Sequence, residues 1–151
     1  MREVATIAAR SLSCEVAAVY IEDGDRFVTV SEGWELRAAE RDVAAALRGL
    51  LGDSRFPYCV QDASVVRLPW PLDREPGIRS YYLLELQGLA RGVLFVAHTD
   101  AAPRGFTTLC RRLGVRLAAV ASAQLGVALT RTWCSEEASR LHAAFGQLDL
   151  A

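Results

Sequence analysis

The stretch from Thr107 to Arg131 constrains the fold most, because it reads as a single helix that is apolar on two opposite sides. At about 100° per residue, Leu109, Leu113, Leu117, Val120 and Val127 fall on one stripe. Val115, Ala118, Ser122, Leu125 and Leu129 fall on another, spaced 3-4-3-4 and lying roughly opposite the first. Ser122 is the one polar member of that second stripe, and Arg111 lies on the same side one turn earlier. Arg112 and Arg116 mark a wet edge that gives way to Ala119 and Ala123. Such a helix must be covered twice: one side packs on a sheet, and the other takes a neighbouring helix or a second copy of the chain. Ala118 and Ser122 are small enough to let a partner helix approach closely. The stripe Val115, Ala118, Ser122, Leu125 and Leu129 is therefore the expected dimer interface. Gly114 and Gly126 lower helix propensity, so tertiary packing has to hold this helix.

The elements before it alternate between helical and strand-like patterns. Val4, Ile7, Ala8 and Leu12 recur at helical spacing. Glu15 to Glu22 and Phe27 to Val30 read as two strands joined at Asp23-Gly24-Asp25, glycine supplying the backbone freedom of a tight turn. A helix over Ala38 to Leu51 places Ala39, Val43, Leu47 and Leu50 on one face, with Gly52-Asp53 as its stop. Tyr58 to Val60 is a short strand. The segment from Asp62 to Pro76 carries Pro69, Pro71 and Pro76 around Trp70, which excludes a regular helix or interior strand. Unstructured loops of this length are uncommon in compact domains and are often functional. Ile78 to Leu86 and Val93 to His98 form a second hairpin, and Thr107 is a good N-cap for the closing helix. Beyond Arg131 the pattern weakens, and Ser135 to Phe145 reads as a further helix or a continuation of the same one. The expected division is a domain over 1–131 and a helical connector or tail over 132–151.

Composition narrows the functions. The chain has 151 residues, 52% of them hydrophobic, and a net charge of −1, so it reads as one globular domain with no electrostatic case for nucleic acid. All 17 basic residues are arginine, a bias that speaks of codon usage more than of function. Uninterrupted apolar runs such as Val16 to Ile21 and Leu117 to Ala121 fall well short of the about 20 residues a bilayer requires, so no membrane insertion is expected. The amino terminus lacks the apolar core of a signal peptide. Cys14, Cys59, Cys110 and Cys134 are scattered without a Cys-x-x-Cys pair, which signals neither a metal site nor a disulfide framework and suits reduced thiols in the cytoplasm.

Two stretches bear a resemblance. Gly77-Ile78-Arg79-Ser80-Tyr81-Tyr82-Leu83-Leu84-Glu85-Leu86 resembles the glycine-hydrophobic-arginine-serine strand of GAF domains. Gly92 to His98, followed by Pro103-x-x-Phe106-Thr107, resembles that family's last strand and its phenylalanine-threonine entry into the closing helix. The resemblance covers about residues 1–131. It implies an α+β fold with a central antiparallel sheet of about five or six strands. The terminal helices would pack on one face, and a loop-covered pocket would lie on the other. It also implies a sensory or regulatory domain of a bacterial histidine kinase or cyclic-di-GMP enzyme, coupled to an output domain through dimeric terminal helices. The tail resembles the start of a signalling connector and points to a segment of a larger protein. The family's cyclic-nucleotide signature needs asparagine and lysine, and the chain has neither. No Cys-His dipeptide is present to attach a bilin. In the free-methionine-sulfoxide reductase branch several cysteines surround the pocket, whereas here only Cys59 lies in a comparable region.

The candidate ligand-binding residues are Tyr58, Trp70, Arg79 and Tyr81. The guanidinium of Arg79 suits a carboxylate or phosphate held in a bidentate pair, although a salt bridge to Asp62, Asp73 or Glu75, or plain solvation, is the commoner fate of an arginine. Trp70 reads either as a lid over a pocket or as a plug inside it. Tyr58 and Tyr81 line the same cavity or simply the core. The chain has two histidines, His98 at a strand end and His142 in the tail, and a haem or metal site needs an enclosed axial histidine or convergent ligands, so neither is expected. No Gly-x-Ser-x-Gly elbow or phosphate-binding glycine loop occurs, and no nucleophile sits at recognisable spacing from a histidine, so no catalysis is expected. Three functions remain open. The first is a sensor of an unidentified small molecule, the second a ligand-free dimerisation module, and the third a small redox enzyme using Cys59. The space beneath the Asp62 to Pro76 loop separates the first two.

Overall fold

The computed structural model describes residues 1–22, 26–31, 38–75, 77–100 and 105–148. The predicted turn at Asp23-Gly24-Asp25, together with Pro76 and Pro103, lies outside them. The elements run α1 (Arg2–Ser11), β1 (Val16–Ile21), β2 (Arg26–Ser31), α2 (Glu40–Asp53), β3 (Tyr58–Val60), β4 (Ile78–Leu86), β5 (Gly92–Thr99) and α3 (Thr108–Leu148). The five strands form one antiparallel sheet in the order β2-β1-β5-β4-β3. Both predicted hairpins are present, and the crossover that brings β5 beside β1 puts the two most apolar strands at the centre of the sheet.

Those two strands are buried along their whole length, so the sheet needs a cover on each face. The two-residue period of a strand sorts the side chains. Ala17, Val19, Ile21, Tyr82, Leu84, Leu94 and Val96 point to the face covered by α1 and α3, where they meet Ala8, Leu12, Ala118, Ala121 and Leu125. Val16, Ala18, Tyr20, Tyr81, Leu83, Val93 and Phe95 point to the opposite face, covered by Val43, Leu47 and Leu51 of α2 and by Leu68 and Leu72 of the proline-rich segment. The arrangement is α+β, with the terminal helices on one face, as the resemblance implies.

Several local details differ from the reading of the residues. The buried face of α1 is made of Ala5, Ala8 and Ala9, while Ile7 points outward. In α2 the helix runs through Gly52 and Asp53 and ends at Ser54, so Gly52 is not its stop. The proline-rich segment contains one 3-10 turn, Leu72–Arg74, preceded by a cis Trp70–Pro71 bond. Gly77 enters β4 at φ 86°, in the left-handed region that favours glycine, and a Cβ there would lie 3.4 Å from the Asp100 carboxylate.

α3 begins as predicted, with the Cys110 N–H donating to Thr107 Oγ1 at 3.1 Å. It then continues unbroken for 41 residues, through the predicted boundary at 131–132. Its span Thr108–Gly146 holds an 18-residue window of mean hydropathy 1.5, which is long and apolar enough to cross a membrane by length and composition. Counting only uninterrupted apolar runs misses this window, because Arg116 and Gln124 interrupt the runs while the leucine, valine and alanine around them keep the mean high.

The approach of α3 to the sheet depends on small residues. A Cβ at Gly114 would stand 2.7 Å from Tyr82 Cε1 and 3.2 Å from Leu84 Cδ1, so only glycine lets the helix settle there. The Tyr82 hydroxyl donates to the Arg111 carbonyl at 3.0 Å, and the Ser122 hydroxyl accepts the Gln87 N–H at 2.9 Å, pinning the helix at two heights along the sheet. At Gly126, by contrast, a Cβ would meet nothing within 4 Å. Gly114→Ala gains about 1 kcal/mol of helix propensity but overpacks against a buried ring at a cost of about 1–3 kcal/mol. Chemical denaturation is expected to show Gly114→Ala destabilised and Gly126→Ala stabilised by about 1 kcal/mol. Equal gains at both positions would contradict this packing.

Candidate functional site

The segment 62–75 leaves a cavity of about 500 Å³ between itself and the start of β4. Leu68, Leu72 and Ile78 give it an apolar side, and Ser64, Arg67, Asp73, Arg74 and Glu75 give it a polar one. The loop is held by its own hydrogen bonds. Asp62 accepts the N–H of Ser64 at 2.9 Å and its O–H at 2.6 Å, and the Ala63 N–H donates to the Arg79 carbonyl at 2.8 Å. These bonds from Ser64 hold the Asp62 carboxyl below the ordinary range. Glu75 is buried, and its Oε1 accepts the Ala38 N–H at 2.8 Å, which ties the end of the loop to the start of α2. The space beneath this loop is thus open and partly polar.

The predicted ligand residues do not converge on it. Trp70 is 64% exposed and does not line the cavity, whereas Leu68 and Leu72 on either side of it are buried and do. The Arg79 side chain is paired with Asp100, so it takes the salt-bridge role, with a partner different from the three expected. Tyr81 is fully buried within the α2 face of the sheet, its ring 6.4 Å from that of Tyr58 and 6.0 Å from that of Phe95. Burial first, then the neighbouring Tyr58, pushes the Tyr81 hydroxyl up to about 12, which suits a core residue. Arg67 and Arg74 do line the cavity, and the sequence reading does not single them out. The signal available for them is their placement at the two ends of Arg67-Leu-Pro-Trp-Pro-Leu-Asp-Arg74.

The expected interface stripe is also reoriented. Ala118, Leu125 and Leu129 are buried within the chain and Ser122 is half-buried and bonded to Gln87, so this stripe packs inward. Val115 borders a shallow groove of about 400 Å³ beside Phe56 and Pro57. The side left open carries Leu113, Val120 (58% exposed) and Val127 (55% exposed), with Ile7 of α1 beside Val120. The physical reason lies in side-chain size at the point of closest approach: Gly114, Ala118 and Ala121 face the sheet because the backbones come close there, and the bulky Leu113 and Val120 are left outside.

A second cluster is invisible in the sequence because its members are 84 positions apart. Cys14 Sγ lies 3.8 Å from His98 Nε2, and His98 Nδ1 lies 3.5 Å from Glu15 Oε2. Glu15 Oε2 also accepts the Thr99 N–H at 3.0 Å, and the imidazole packs on Phe106 with centroids 4.7 Å apart. The order thiol, imidazole, carboxylate is that of a nucleophile and its base. Here, however, the thiol is buried, and burial, followed by Glu15, pushes it up to about 12, so it stays protonated at neutral pH. Cys59 is half-buried and burial pushes it up as well, with Arg111 offsetting only part. This opposes the depressed pKa that a redox use of Cys59 requires. All four cysteines are free, and Cys134 is exposed. A thiol reagent added to the native protein near neutral pH is expected to modify Cys134 promptly and Cys14 only on unfolding. Rapid labelling of Cys14, read by peptide mass, would show that this core opens.

Comparison with known proteins agrees with the architecture. No protein-family model matches the chain, and no curated protein matches it in sequence. Solved structures do match. The GAF domain of an Acinetobacter phosphoenolpyruvate-protein phosphotransferase is 21% identical at a TM-score of 0.61, covering 83% of this chain and 80% of that one. The photoproduct state of the third GAF domain of Slr1393 from Synechocystis is 15% identical at 0.62, covering 87% and 94%. A domain of a putative two-component sensor histidine kinase from Sinorhizobium meliloti is 16% identical at 0.56, covering 92% and 93%. This chain has the GAF fold. Within that fold, the cavity beneath 62–75 lies on the α2 side of the sheet, away from the terminal helices, where the resemblance placed the pocket.

Proposed function

We propose that this GAF-fold chain is a non-catalytic sensory module of a cytoplasmic bacterial signalling protein, of the histidine kinase or cyclic-di-GMP enzyme type. In this reading it binds a small molecule beneath the 62–75 loop and passes its occupancy to an output domain through paired closing helices. The observation that carries the reading is the cavity of about 500 Å³, which is of ordinary ligand size and has a mostly polar lining beside a small apolar side. The structural similarity to a domain of a putative sensor histidine kinase points the same way.

The pairing rests on the outer side of α3. Leu113, Val120, Val127, Cys134 and Leu141 recur every seven residues and are all exposed. A strict seven-residue row is what two supercoiled helices share, each keeping one seam against the other. The row runs from the part of α3 packed on the sheet into the part beyond Thr132, where every side chain described is exposed. A partner helix would therefore join the ligand-binding body to the projecting segment in one continuous contact. The mechanism is differential: a ligand preferring one arrangement of the pair shifts the pair toward it, and by no more than its difference in affinity.

The ligand-free coupling module is the second reading. It is favoured by the dense filling of the α2 face by Tyr20, Tyr81 and Phe95, and by the dispersal of the four predicted ligand residues. Native mass spectrometry separates the two readings. A dimer carrying a reproducible added mass supports the sensor, and a dimer of bare chains that acquires no ligand from any extract supports the coupling module. In sedimentation velocity, Val120→Glu with Val127→Glu is expected to give a folded monomer, whereas Leu125→Glu unfolds the chain, since it buries a charge among apolar side chains. A wild-type monomer at high concentration would sink the paired-helix part of the reading.

A further inference from the structure

Of the charged side chains that line the cavity, Glu75 is engaged, whereas Arg67, Arg74 and Asp73 have no side-chain partner among the described residues, which leaves one net positive charge to offer a ligand. The Asp62 carboxylate is occupied by Ser64, the Glu75 carboxylate by the Ala38 N–H, and the Arg79 guanidinium by Asp100. Arg67 and Arg74 both line the cavity, and neither makes an ion pair or side-chain hydrogen bond with any described residue. Two exposed arginines without a partner among the described residues thus border one concave space, next to the buried aliphatic side chains of Leu68 and Leu72. Guanidinium forks are suited to planar or tetrahedral oxyanions, which they hold through paired charge-assisted hydrogen bonds.

We propose that the cavity beneath the 62–75 loop binds an organic anion, a carboxylate or phosphate monoester with a compact apolar body. Its oxyanion lies between Arg67 and Arg74 and its body lies on Leu68, Leu72 and Ile78. Asp73 lies in the same lining and repels extended polyanions, so the site selects a ligand with one anionic group over a nucleoside triphosphate. The anion-binding role expected of Arg79 thus passes to two other arginines, both carried by the loop itself. The proposal rests on the sensor reading and specifies its ligand class.

Isothermal titration with phenyl phosphate, benzoate and the neutral benzamide tests it on the full chain, with native mass spectrometry of the protein as purified alongside. Phenyl phosphate or benzoate is expected to bind and benzamide not to. Arg67→Gln and Arg74→Gln should each weaken binding roughly tenfold or more, the loss expected for a hydrogen bond to a charged group. Arg116→Gln, on the exposed side of α3, should leave it unchanged, and unaltered melting temperatures show that all three variants fold. Equal binding by wild type and both cavity variants overturns the proposal, since the anion then associates elsewhere. Binding of benzamide with no binding of either anion also overturns it but leaves the sensor reading standing. If no probe binds, the anion proposal falls, and the purified protein's mass decides the rest: a carried small molecule preserves the sensor reading, and bare chains remove it too.

Discussion

The rest of the structure follows from the need to cover the central strands twice. β1 and β5 expose nothing on either face, and their alternate side chains feed two separate cores. Each large apolar side chain so buried is worth about 1.5–3 kcal/mol, so neither face can be left to water. The chain meets the two demands differently. One face receives α1 and α3, close-packed through alanine and glycine. The other receives a single helix, α2, and a proline-rich segment that cannot follow the sheet closely. The cavity lies where that second cover is irregular.

Close packing on one face and looser cover on the other divide the labour of the molecule. Gly114, Ala118 and Ala121 bring α3 down onto Tyr82 and Leu84, and the hydrogen bonds from Tyr82 and to Ser122 fix its height. The helix is thereby anchored on the sheet, and at about 1.5 Å per residue its part beyond Thr132 reaches roughly 24 Å further. Buried Glu75 links the cavity's rim to α2 through Ala38, and α2 touches the same central strands from the other side. A ligand that moves the loop would therefore act on strands whose opposite face carries α3.

Much of this is legible in the residues. The valine-rich runs mark the strands, the Gly77 to Leu86 and Gly92 to His98 stretches point to the GAF architecture, and Thr107 marks the start of α3. The orientation of α3 is not legible, because periodicity identifies two apolar sides without saying which one is inside. Side-chain volume decides that, and Gly114 is the residue to weigh: a defect by helix propensity, it is the contact point in the fold. The place of the cavity is legible and its lining is not. Trp70 and the arginine of the family-like strand stand out by their chemistry, whereas Arg67 and Arg74 are ordinary until the loop folds. The grouping of Cys14, Glu15 and His98 depends on the β1–β5 pairing and has no local signature.

In the proposed pairing the exposed seven-residue row on α3 would be the seam between two copies of the chain, with their helices parallel and in register. Cys134 lies on that row, so in such a pair the two copies of this thiol face each other within the narrow Cα separation a disulfide tolerates. Mild oxidation of a variant retaining only Cys134, followed by a non-reducing gel, measures this directly. The expected product is a disulfide-linked dimer that disappears on reduction and fails to form when Val120 and Val127 are replaced by glutamate. A chain that stays monomeric on the gel, while its Cys134 reacts freely with a small thiol reagent, would contradict the pairing.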